Sequence, residues 1–106
     1  MSITEVREID AIGTKNSELH LMISDHIDWE YEDVHLELLQ DKINNYLMYI
    51  ENKEYKEKYG DDFGKIVINI FFKYNLTINC VDFLNVVSEK INPKNIFLNI
   101  HLPEMK

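Results

Sequence analysis

The sequence predicts an α/β (α+β) two-layer sandwich of order ββαβαβ, with a four-stranded mixed sheet and two helices on one of its faces. Four short segments alternate apolar and polar residues, the period of half-buried strands. Two longer segments repeat apolar residues three and four apart, the period of amphipathic helices. Strands interleaved with such helices favour crossovers that cover one side of a sheet. The 106 residues, 45% hydrophobic with three Gly and two Pro, suit a single domain over residues 1 to 106. A core of that size leaves little volume for a deep internal active site.

The first two strands are read in "EVREIDAIG" and "ELHLMISDH". The polar "TKNS" between them follows Gly13 and turns the chain into a β-hairpin. In the second strand Leu19, Leu21 and Ile23 share one face, and His20, Met22, Ser24 and His26 the other. Residues 31 to 52 form the long helix, with an apolar stripe of Leu36, Leu39, Ile43, Tyr46, Leu47 and Ile50. Asp28, Glu30, Glu32 and Asp33 at its start oppose the positive end of the helix dipole, and an aspartate among them is expected to cap it.

"NKEYKEKYGDDFG" reads as a short extra helix or a charged loop. "KIVINIFFKY" reads as a central strand, with Ile66, Ile68, Ile70, Phe72 and Tyr74 on one wholly apolar face. Residues 79 to 91 make the second helix, with Val81, Leu84, Val87 (or Phe83) and Ile91 inward and Asn79 or Thr77 as its cap. "NIFLNIHL" closes the sheet with Ile96, Leu98, Ile100 and Leu102 inward. The other sheet face then carries Met22, Val67, Phe71, Phe97 and His101 among His20, Ser24, Asn69 and Asn99. It is more apolar than a solvated face requires, which makes it a candidate homodimer interface.

The net charge of -8 is unevenly placed. Residues 1 to 64 hold 16 Asp and Glu against 6 Lys and Arg; residues 65 to 106 hold 3 against 5. Direct nucleic-acid binding is disfavoured, because its affinity comes largely from cations neutralising phosphates. A basic protein would be steered towards the acidic half. Cys80 is the single cysteine, so no internal disulfide forms, as befits a reducing compartment. The first twenty residues have no signal-peptide pattern, and no apolar run is long enough to span a membrane. A cytoplasmic protein with no membrane contact is expected.

"ISDHIDWEYEDVH", residues 23 to 35, gathers five carboxylates and two histidines without a Lys or Arg. A metal site needs three or four convergent ligands, and neither HExxH, paired cysteines nor an alternating Asp loop occurs. Ser24, Asp25 and His26 have the residue types of a catalytic triad, but neighbours on a strand point to opposite faces. No metal, cofactor or catalytic residue is expected. Cys80 reads as a small buried residue, His35 as packed on the helix flank, and Trp29 as a staple between strand and helix or an anchor for a partner.

The stretch "LHLMISDHIDWEYEDVHLELLQDKINNYLMYIE", followed by "KIVINIFFKY", resembles a family of small bacterial proteins of unknown function that share ISDHxDW and HxxLLQxKxNxYxxxIE. The resemblance runs from about Ile9 to Tyr74 and marks Asp25, His26, Asp28, Trp29, His35, Gln40 and Asn44. It implies no activity. In class rather than motif, a small acidic protein of this kind also resembles the immunity proteins that neutralise toxic nucleases. On that reading Asp25, Asp28, Glu30, Glu32, Asp33 and Glu37 meet Lys and Arg of a basic protein toxin, with Trp29 and Tyr31 adding contact. The alternative is a homodimeric structural or regulatory module joined through Met22, Val67, Phe71, Phe97 and His101.

Overall fold

In a computed structural model, which describes residues 2–103, the four strands lie side by side in chain order. They are β1 (Ala11–Lys15), β2 (Glu18–Asp25), β3 (Lys65–Phe72) and β4 (Ile96–His101). The helices are α1 (Glu32–Glu51), the single turn α2 (Lys56–Tyr59) and α3 (Ile78–Ile91). β1 and β2 are antiparallel, while β2–β3 and β3–β4 are parallel. Parallel neighbours need crossovers, and two right-handed crossovers in the same direction put α1 and α3 on the same face. The sheet is therefore mixed, in the order ββαβαβ that the sequence predicts.

The hairpin turns on Asn16 and Ser17, both left-handed at φ 53° and 64°, between the paired Lys15 and Glu18. Two left-handed residues match the twist of the flanking strands. The turn is thus shorter than "TKNS", and the first strand starts later than predicted. Residues before Ala11 run instead as a strap of turns, with Ile3 fully buried and its N–H on the Ser24 carbonyl at 3.0 Å.

The core lies between sheet and helices: Leu19, Leu21, Ile23, Ile68 and Ile70 meet Leu39, Ile43 and Tyr46 of α1 and Cys80, Leu84 and Ile91 of α3. Several inward assignments shift. Val81 is 41% exposed and Cys80 takes the inward position, because α3 begins at Ile78. Tyr74 and Leu102 lie beyond the ends of their strands and are exposed. The α3 cap is Thr77, whose hydroxyl accepts the Cys80 N–H at 3.1 Å. No side chain caps α1; Asp28 instead accepts the Glu30 N–H just before it, at 3.1 Å.

Candidate partner-binding face

β2 alternates, so Asp25 follows Leu19, Leu21 and Ile23 onto the core face and is 1% exposed. His35, on the first turns of α1, is equally buried and reaches it: Nε2 lies 2.6 Å from Asp25 Oδ2. The other ring nitrogen, Nδ1, is 3.1 Å from the Asp28 carbonyl, which can only accept. Nδ1 therefore carries a hydrogen, and one further proton lies between Nε2 and Asp25. Burial raises the Asp25 pKa, and the imidazole opposes that shift. Trp29 stacks on the His35 ring at 3.7 Å, so it is a staple of the strand–helix junction. Its indole N–H is buried without an acceptor among the described residues.

Asp25 therefore cannot meet a partner's Lys or Arg, a correction to its place in the predicted surface. His26 is exposed and bonds neither Asp25 nor Asp28 among the described residues. Among the described residues, no cluster of three or more His, Cys, Asp or Glu is arranged to hold a metal ion.

A second buried polar group ties the strap to α1. Lys42, fully buried, donates to the carbonyls of Glu5 (2.7 Å) and Glu8 (2.6 Å) and to Asp10 Oδ1 (2.8 Å). Tyr46 donates to the Met22 carbonyl and accepts the Asp10 N–H at 2.8 Å. The sequence signal for Lys42 is its place on the inward side of α1, between Leu39 and Ile43.

The remaining carboxylates stay outside. Glu30, Asp33, Glu37 and Asp41 are exposed, and none pairs with a cation among the described residues. Asp33, Glu37 and Asp41 stand four apart, one above another on α1. Tyr31 is 71% exposed beside them. Glu32 is half-buried, and the Asn79 amide, 2.9 Å away, holds its pKa below the usual carboxylate value. Asp28 is exposed while serving its turn.

The open sheet face is largely bonded to itself. Asn69 gives its amide N–H to His20 Nδ1 (3.0 Å) and takes hydrogens from Asn99 (3.1 Å) and His101 Nε2 (3.1 Å). His20 in turn donates to Glu18 at 3.0 Å. Val67 is already 6% exposed in the single chain, so it offers little to a partner; Met22, Phe97 and His101 are half-buried. Phe71, stacked on His101 at 4.2 Å, is the large apolar residue of this face that stays exposed.

The model of a family of unknown function (DUF6572) matches residues 1–104. The chain belongs to that family. The match runs past Tyr74, where the sequence resemblance fades, to include α3 and β4. No curated protein and no solved structure matches the chain. No helix among the described residues is long and apolar enough to cross a membrane.

Proposed function

We propose that this member of the DUF6572 family is a cytoplasmic binding protein of the immunity type. It neutralises a basic toxin, a nuclease being the class whose phosphate-binding cleft an acidic surface complements, and it does so by complex formation without catalysis. The observation that carries the reading is the outward stripe of Glu30, Asp33, Glu37 and Asp41 with no cation partner among the described residues. Like charges four apart on a helix are mutually destabilising, and beyond the first turn, at Glu37 and Asp41, the helix dipole no longer offsets that cost. A Lys- and Arg-rich partner would recover it. Asp28, Trp29, Tyr31 and Glu32 border the same end of α1.

The test is capture by the tagged protein from a lysate of its own cells, washed at low and then high salt, followed by kinetics with the retained protein. Reversal of Glu30, Asp33 and Glu37 to Lys is expected to slow association at least about tenfold at low salt and to flatten its salt dependence. Association unchanged at low salt would remove this surface from consideration. A homodimer through the open sheet face is the second reading, favoured only by the exposure of Phe71. It expects a dimer by light scattering that Phe71→Asp converts to a monomer.

A further inference from the structure

α1 and α3 run parallel, since each returns across the same sheet face between parallel strands, and Asn79 joined to Glu32 ties their N-terminal ends. The groove between them has two parts. A cavity of about 250 Å³ is floored by Ile43, Leu47, Phe83 and Val87, with Lys90 on its lining. Towards the N-terminal ends a shallower hollow of about 530 Å³, bordered by Leu36, Asp33, Glu37 and Asp41, shares Phe83 with it. Gln40 and Asn44 line both parts, and neither side chain has a hydrogen bond among the described residues. Val86, 50% exposed, stands on the α3 side.

We propose that this groove seats an amphipathic helix of the partner, apolar along one side and cationic at one end. The proposal rests on the protein being a binder of a basic protein and specifies what is bound. Three features select that occupant. Half-exposed apolar side chains along a furrow between two helices match the ridge of a third. The 14 residues of α3 rise about 21 Å, room for a ligand helix of about four turns. The charge along the groove is polarised, with three carboxylates at one end and Lys90 at the other, which fixes the direction in which the helix lies. Lys or Arg at one end of the ligand sits over Asp33, Glu37 and Asp41. Gln40 and Asn44 bond polar groups at its middle. An anionic membrane or a nucleic acid would be repelled by the same carboxylates.

Two synthetic peptides of identical Leu, Ala, Lys and Glu content test this. One presents a leucine stripe with its lysines gathered at one end; the other scatters the leucines around the helix. Each is titrated into the isotope-labelled protein by NMR and calorimetry. The striped peptide is expected to bind about tenfold more tightly, with shifts concentrated from Asp33 to Leu47 and from Phe83 to Lys90. Val86→Gln, at a half-exposed position the fold tolerates, should remove most of that preference while leaving the scattered peptide unchanged. Asp33→Asn with Glu37→Gln should weaken both peptides. Equal binding of the two peptides to the wild type would overturn the groove and leave recognition by charge standing. A preference that survives Val86→Gln, with shifts away from α3, would also overturn it. No binding of either peptide at low salt would overturn both the groove and the reading beneath it.

Discussion

His35 has no ring nitrogen to spare: one is held by the Asp28 carbonyl and the other by Asp25. Truncating it leaves a carboxylate buried and unpaired, which costs about 3–5 kcal/mol. His35→Ala is therefore expected to lower the urea midpoint sharply. The cost should also depend on pH. Burial already raises the Asp25 pKa against the opposing imidazole, so the folded state holds the Asp25 proton more tightly than the unfolded chain does. Stability from this group is present at low pH and lost as pH rises through the raised value. Without the imidazole that value climbs further, so the loss in His35→Ala should be smaller near pH 4 than near pH 7. Cys80 obeys the same sign at the alkaline end: burial pushes its thiol up to about 12 from 9.0. The folded chain should lose stability as pH rises from 9.0 towards 12, and Cys80→Ala should flatten that loss in urea melts. At this scale the sequence was half legible. Alternation along β2 carries Asp25 to the core face, but nothing in the sequence states that His35, on another element, waits there.

α1 shows where pattern and energetics part. Its spacing was readable because a stripe of Leu, Ile and Tyr is the one way that segment can cover a sheet. Its buried edge was not, because His35 reads only as packed on the helix flank, and Lys42 as solvated, until their partners are known. The exposed edge sets three carboxylates four apart, and each like-charged pair at that spacing costs a helix about 0.2–0.5 kcal/mol. Glu37→Lys replaces two repulsions with two attractions, so it should raise the thermal midpoint modestly while weakening the partner. A gain in stability together with lost binding separates that role from a structural one. At the other helix, Thr77→Ala removes the hydroxyl that caps α3 and should cost about 1 kcal/mol in urea denaturation. The α3 cap was readable as Thr77 or Asn79 because both precede a periodic run; α1 defeated the same reasoning because its start is fixed by the Asp25–His35–Trp29 junction.

Over the whole molecule, the strap is the part that pattern could not place. Residues 5–10 read as the start of the first strand, yet they belong to a strap of turns in which Ile3 is buried and Lys42 collects two of the carbonyls. Deleting residues 1–9 would leave the buried Lys42 ammonium with Asp10 alone of its three acceptors, and the protein is expected to unfold cooperatively at a markedly lower urea concentration. The net charge of -8 acts over the same scale, and screening it with about 0.15 M salt should raise the thermal midpoint. Apolar faces fixed the layers, but strand neighbours depend on crossover handedness, which no residue spells out. The resulting order, β1-β2-β3-β4, has a kinetic consequence. The hairpin can close within microseconds, whereas β3 must find β2 across the whole of α1. That closure, longer than the one across α3 that brings β4 to β3, is expected to limit the folding rate, with Leu21 and Ile68 in its nucleus and β4 added afterwards. Truncations at Leu21 or Ile68 should slow refolding, and those at Leu98 or Ile100 should mainly hasten unfolding.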